Sequence, residues 1–198
     1  MQRNGTARRF CLLVLAVMAA NDATSVIANL LTLPFFLDTW ATSAGVMIGG
    51  LTVGVCGGAL YNALMALSYW TPGAAVFGLN SVLVAVLTWT FWRSGWVDIE
   101  KPFKLVAVGA ITGLVNAALV MGVELFSNPA TATAKNTLIF HHMLESEIGS
   151  SSVALILETL LIEVTDKTVS IFVAAAVVVL LQERFSWALP AGTQGRQA

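Results

Sequence analysis

The chain has 198 residues, of which 57% are hydrophobic and only 11% charged, with a mean hydropathy of +0.81. A soluble domain of this length carries about 25% charged residues, so too few charges are present to coat a water-facing surface. The formal net charge of −1 gives no basis for binding nucleic acid. Apolar segments and short connections use up the sequence. This predicts an all-α membrane protein: a compact bundle of about six transmembrane helices, forming a single domain over 1–190 with a disordered tail over 191–198.

Arg3, Arg8 and Arg9 precede an apolar run that starts at Phe10. The run continues to about Leu33 without a small-residue cleavage site before Asn21–Asp22, so it reads as an uncleaved first helix ending at Pro34. Ala16, Ala19, Ala20 and Ala23 fall on one stripe of it, as overlapping small-xxx-small patterns that admit close approach of another helix. Asp22, Ser25 and Asn29 lie roughly 140° away, taking about 100° per residue. A carboxylate inside a membrane helix is expensive. Asp22 is therefore expected to face a polar interior, either in a structural hydrogen bond to Asn116 or Asn80 or in a functional role.

Thr39–Trp70 is apolar and rich in glycine, and a single straight helix of that length would overshoot a hydrocarbon core of about 30 Å. It is expected to break near Gly49–Gly50 into a short second helix and a third. Thr71-Pro72-Gly73 signals a turn. A fourth helix is expected from about Ala74 to Trp92, a polar loop over Arg93–Lys104, and a fifth helix from about Phe103 to Phe126. The long connection over 130–166 contains a polar part, His141–Ser152, and an apolar part, Val153–Val164. The apolar part is too short to span and carries Glu158 and Glu163, so it reads as a short extra helix at the membrane face. The last span is expected from about Lys167 to Glu183. Cys11 and Cys56 fall inside apolar segments and read as buried free thiols, with no disulfide and no metal site.

With six spans, eight of the ten basic residues share the side of the termini, leaving Lys135 and Lys167 opposite. The positive-inside rule makes that side cytoplasmic and the protein a multi-pass component of the cell (inner) membrane with both termini cytoplasmic. The opposite side holds Asp38, Glu124, Glu145, Glu147, Glu158, Glu163 and Asp166, for a local charge of −5. Trp89, Trp92 and Trp96 mark the inner interface, and Trp40, Tyr69 and Trp70 the outer one.

Four stretches resemble the S components of energy-coupling factor transporters, small membrane subunits that capture vitamins or metal ions. Ala16-Val-Met-Ala-Ala-Asn-Asp-Ala23 is similar to the alanine motif that docks such subunits onto a transmembrane coupling partner. Phe36-Leu-Asp-Thr-Trp-Ala-Thr42 resembles the "LD-x-x-x-T" start of the second helix. Gly49-Gly-Leu-Thr-Val-Gly-Val-Cys-Gly-Gly-Ala-Leu-Tyr-Asn62 resembles the family's glycine-rich stretch, with Gly50 in place of its usual proline. Glu163-Val-Thr-Asp-Lys-Thr168 resembles the acidic "D-K" start of the last helix.

The resemblance implies a substrate-binding subunit, not an enzyme, without cofactor or resident metal. It further implies a vitamin-like small-molecule ligand held near the outer face, with coupling and ATPase subunits supplied by other chains. The resemblance places the ligand under the loops joining helices one–two and five–six, regions that here contain Asp38, Trp40, His141, His142, Glu145 and Glu147, with Trp70, Asn80, Asn116 and Glu124 near enough to contribute. Aromatic faces and the acidic outer side suit an aromatic or cationic ligand. Ala16, Ala19, Ala20 and Ala23 would form the docking face. His141, His142 and Glu145 have the residue types of a transition-metal site but read as a solvated loop helix. The alternatives are a membrane sensory or binding module, a channel or self-sufficient carrier, and a membrane enzyme with a polar intramembrane site. Against the enzyme, the sequence contains no HExxH or GxSxG motif and no cysteine beside a histidine. Against the carrier, it shows no internal repeat.

Overall fold

The computed structural model describes residues 2–68, 76–126 and 135–184. Among them the fold is an all-α compact bundle of seven helices: α1 (Gln2–Leu30), α2 (Trp40–Gly49), α3 (Leu51–Ser68), α4 (Gly78–Arg93), α5 (Pro102–Phe126), α6 (Lys135–Ile148) and α7 (Ser151–Arg184). Four of them, α1, α3, α5 and α7, contain stretches long and apolar enough to cross a membrane. The expected turns over 71–73 and 127–129, and the tail beyond 184, lie outside the described residues.

The short helix α2 sits at the centre. Residues 41 to 47 are all buried, which the small side chains of Ala41, Thr42, Ser43, Ala44 and Gly45 permit: a helix stretch so built can be surrounded on every face. The break expected at Gly49–Gly50 is where the chain turns. Gly50 has φ +88°, a left-handed conformation that favours glycine, and its N–H donates to the Val46 carbonyl at 2.9 Å. Helix α3 then returns against α2. A Cβ on Gly54 would lie 2.9 Å from the Thr42 carbonyl oxygen, and one on Gly58 would lie 2.8 Å from the Thr42 hydroxyl. The glycines therefore set how closely this hairpin closes.

Helix α1 turns Val14, Val17, Asn21, Ser25 and Ala28 inward. This corrects the expectation for Asp22. The buried stripe is centred on Asn21 and Ser25, so Asp22 and Asn29, on the flank of that arc, are exposed. Asn21 supplies the interior polar group instead, donating from Nδ2 to Thr42 Oγ1 at 2.9 Å and accepting from the Ala41 N–H at 3.2 Å. Cys11 is also exposed rather than buried, and Cys56 is half-buried. Further polar contacts join α2 to α4 (Ser43–Thr88, 3.0 Å) and α3 to α4 (Asn62–Ser81, 2.9 Å). In a lipid-embedded bundle such hydrogen bonds and small-residue packing hold helices together.

The expected short helix over Val153–Val164 and last span from Lys167 are a single helix. Helix α7 runs 34 residues without a break, about 51 Å at 1.5 Å per residue. The acids that made the first half look interfacial are buried and partnered, so no polar break interrupts it. The extra helix in the long connection is α6, which packs on α7. Helices α5 and α7 make the most extensive contact in the bundle, at Gly109 and Gly113.

Leu13 of α1 meets the α2–α3 corner at Gly49, and Met47, Val97, Leu105 and Val178 share one apolar cluster. The first part of α1, the α4–α5 loop and the C-terminal half of α7 therefore gather at one end. Here Arg93 lies over the Trp89 ring, 5.2 Å from its centre, and Lys104 lies 6.0 Å from that of Trp96. Aromatic and basic residues so paired are typical of a membrane interface. The α1–α2 loop and the start of α7 lie toward the other end.

Candidate functional site

Helix α7 has one buried face in two parts. Its C-terminal half is apolar, with Ile171, Ala174, Ala175 and Val178; its N-terminal half presents Glu158, Glu163, Asp166, Lys167 and Ser170. Four of these five are ionisable, and all are buried within the bundle.

The charges are met by the loop between α1 and α2 and by α5. Lys167 Nζ bonds Asp166 and lies 3.4 Å from Glu163 Oε2. Glu163 also accepts from Asn116 Nδ2 on α5. Asp166 reaches 129 residues back in the chain, its Oδ1 accepting the Leu37 N–H at 2.7 Å. Leu37 has φ +50°, a left-handed conformation that is uncommon for a branched residue. Both its backbone groups are held, the N–H by Asp166 and the carbonyl by Thr24 Oγ1 at 2.7 Å. The loop is thus fastened to the charge cluster. Thr39 adds a 3.3 Å contact to Ser170.

This fastening brings Asp38 into the field of Lys167, Asp166 and Glu163. Burial pushes its carboxyl up from the ordinary 3.8 to about 6; Lys167 pulls the other way, and the two neighbouring carboxylates add to the rise. The site therefore sets three carboxylates against one ammonium. The Oδ1 of Asn116 is buried without a hydrogen-bond partner. Excess negative charge and an orphaned carbonyl oxygen together suit a ligand that donates hydrogen bonds or carries positive charge.

The raised Asp38 value has a consequence for stability. The unfolded carboxyl keeps the ordinary value, so the native state holds the proton more tightly. The contribution of Asp38 to stability is therefore greatest below about pH 4, declines as pH climbs to about 6, and is level above that. Asp38→Asn removes the cost of the buried charge. It is expected to raise the melting temperature by a few degrees at about pH 8, and by less at about pH 4, an effect on the order of 1–3 kcal/mol. Thermal melts of both proteins at the two pH values check this; an equal gain at both would contradict it.

A second polar pair lies about two turns further toward the start of α7. His141 Nδ1 of α6 is 2.9 Å from Glu158 Oε2, and its Nε2 is 3.3 Å from Ser151 Oγ. Glu145 lies 3.9 Å from His141 and 3.6 Å from His142, and both Glu145 and His142 face outward. Among the described residues no group of three or more His, Cys, Asp or Glu side chains is placed to hold a metal ion.

The sequence-predicted residues thus separate. Asp38 and Asn116 join the charge cluster. His141 joins Glu158, whereas His142 and Glu145 stay at the surface of α6. Trp40 is a structural tie: its Nε1 donates to Thr24 Oγ1 at 3.1 Å and its ring packs between two apolar clusters. Asn80 is buried on α4 with its carbonyl oxygen unpartnered; it makes no hydrogen bond to the cluster. Trp70 lies outside the described residues, as does the side chain of Glu124. Ala16, Ala19 and Ala23 are exposed, and Ala20 is half-buried against Val14 and Val17. Glu163, Asp166 and Lys167, at the heart of the cluster, were not among the predicted ligand residues. Their signal was the spacing of Glu163, Asp166, Lys167 and Ser170, one polar stripe on an otherwise apolar helix.

No known protein family, curated protein or solved structure matches the chain.

Proposed function

We propose that this chain is the substrate-capture subunit of a vitamin or micronutrient uptake transporter, binding one small ligand beneath the α1–α2 loop and doing no chemistry on it. The observation that carries this reading is the buried cluster of Glu163, Asp166, Lys167 and Asn116, with the half-buried Asp38 at its edge, beside a strained, fastened loop. A polar centre surrounded by apolar helices fits the binding of a ligand better than the packing of a bundle. The basic residues gather toward the opposite end, so the positive-inside rule turns the cluster's end outward. The sequence has no GxxxxGK[ST] phosphate-binding loop. The energy for transport would come from ATPase and coupling subunits, with the exposed face of α1, bearing Ala16, Ala19 and Ala23, as the docking surface.

Native mass spectrometry of gently purified protein tests the reading. One vitamin-sized ligand per chain is expected, lost or at least tenfold weaker in Asn116→Leu. Turnover of the retained molecule, or a folded protein that retains none, would overturn it.

A further inference from the structure

Where α6 packs on the start of α7, three side chains meet. His141 of α6 lies between two residues of α7, with Nδ1 2.9 Å from Glu158 Oε2 and Nε2 3.3 Å from Ser151 Oγ. Ser151 and Glu158 are seven positions apart, about two turns along one helix face, so a ring set between them meets both. The Glu158 side chain is 5% exposed and that of His141 15%, whereas Ser151 is exposed. A buried carboxylate therefore stands on one side of the ring and an accessible hydroxyl on the other. Ionised, Glu158 only accepts hydrogen bonds, so Nδ1 carries the ring proton and Nε2 turns its lone pair toward Ser151.

A tie between two helices needs only the Nδ1 contact. The second nitrogen adds a base within reach of a hydroxyl, held in the tautomer that can take its proton. The backbone supplies a further part. The first intrahelical bond of α7 runs from the Ala154 N–H to the Ser150 carbonyl at 3.0 Å, so the N–H groups of Ser151, Ser152 and Val153 have no acceptor within the helix. They lie on and beside the residue that bears the hydroxyl, at the positive end of a 34-residue helix, a setting that stabilises an oxyanion. Glu145, 3.9 Å from Nε2, is too far to bond it but favours a positive ring. Ile148 and Val153, 39% and 44% exposed, flank Ser151 in the chain and suit an apolar acyl group.

We infer that Ser151, His141 and Glu158 form a second site, which hydrolyses carboxylic esters carrying an apolar acyl chain. Ser151 Oγ bonds to the ester carbonyl carbon as its proton passes to His141 Nε2. The bond from that carbon to the alkoxy oxygen then breaks, and His141 gives the proton to the departing alcohol. Water attacks the acyl-serine and loses one proton to His141. The bond from the acyl carbon to Oγ breaks, the carboxylic acid leaves, and the proton returns to Oγ. Glu158 is a positioning residue that acts through the ring. The ester is not the ligand retained beside Lys167, so this site and the transport reading stand or fall separately.

The test uses the full-length chain in detergent micelles, with a fluorophosphonate and with nitrophenyl octanoate. One fluorophosphonate is expected to attach per chain, at Ser151 by peptide mapping, and untreated protein is expected to release nitrophenol. Ser151→Ala, at an exposed position, should lose both and keep the parent's melting temperature and retained ligand. His141→Gln should slow hydrolysis by at least about a hundredfold. Glu158→Gln should lower kcat by at least about tenfold with KM unchanged, a split that general loosening of the helix pair would not give. Release of oleate from dioleoylphosphatidylcholine vesicles by the same serine would name a lipid as the source of the ester; hydrolysis of the octanoate alone would name a dispersed one. A parent chain that neither labels nor hydrolyses would overturn the site. So would label on another serine, or labelling of Ser151 at the parent's rate in a folded His141→Gln.

Discussion

Lys167→Met is expected to destabilise the protein by about 3–5 kcal/mol, lowering the melting temperature in detergent by roughly 10 °C. Lys167 is 4% exposed, and its ammonium is the cation against which Asp166 and Glu163 are buried. Removing it leaves carboxylates with no counter-charge in a region water does not reach. Deleting one member of a buried ionic group is far worse than deleting the group, because the penalty falls on the charges left behind. The triple variant Lys167→Met, Asp166→Asn, Glu163→Gln should therefore recover most of the loss. It should not recover ligand retention, because the charges that would hold the ligand are gone. The effect should also reach the α1–α2 loop, since Asp166 holds Leu37 in its left-handed conformation. Faster amide exchange at Leu37 in Lys167→Met would report that release. A single variant melting within about 1 °C of the parent would mean that the cluster is hydrated or otherwise neutralised, and its assignment as the binding centre would fall with it.

Which parts of this arrangement the sequence revealed depends on whether the information is local. The α2–α3 corner was legible because it needs only length and glycine: a stretch too long to span as one helix, with the pair Gly49–Gly50 at the break. The α4–α5 loop was legible from its charges. Helix α7 was misread at its first half because Glu158 and Glu163 resemble solvated residues until their partners are known. Those partners, His141 and Asn116, lie 17 and 47 residues away in the chain. The cluster centre was hidden for the same reason, with the Leu37 N–H that fixes Asp166 lying in the first quarter of the sequence. The error at Asp22 was of another kind. Periodicity found the polar flank of α1, but one residue moves the helix by about 100°. That was enough to exchange Asn21 for Asp22 as the inward group. Sequence pattern located the stripe; only packing against α2 decided which edge of it turned inside.

Gly113→Leu is expected to be nearly as damaging as loss of Lys167, for a steric reason. A Cβ at this position would lie 2.5 Å from Val164 Cα and 2.7 Å from the Glu163 carbonyl oxygen. One turn earlier, a Cβ on Gly109 would meet Thr168 inside contact distance. The obstacle in both cases includes helical backbone, which cannot rotate away as a side-chain tip can. Helices α5 and α7 would have to separate, and overpacking that forces such a shift costs about 1–3 kcal/mol or more. The separation would also act on the site, because Asn116 meets Glu163 less than one turn from Gly113. Gly113→Leu should therefore lower the melting temperature by several degrees and abolish ligand retention together, whereas Gly113→Ala should show a smaller loss of both. Gly122 of the same helix is the control. A Cβ there would meet nothing within 4 Å, so Gly122→Leu is expected to melt like the parent and keep its ligand. Were Gly113→Leu as stable as Gly122→Leu, α5 and α7 would not cross at this glycine, and the contact that positions Asn116 on the charge cluster would have to be sought elsewhere.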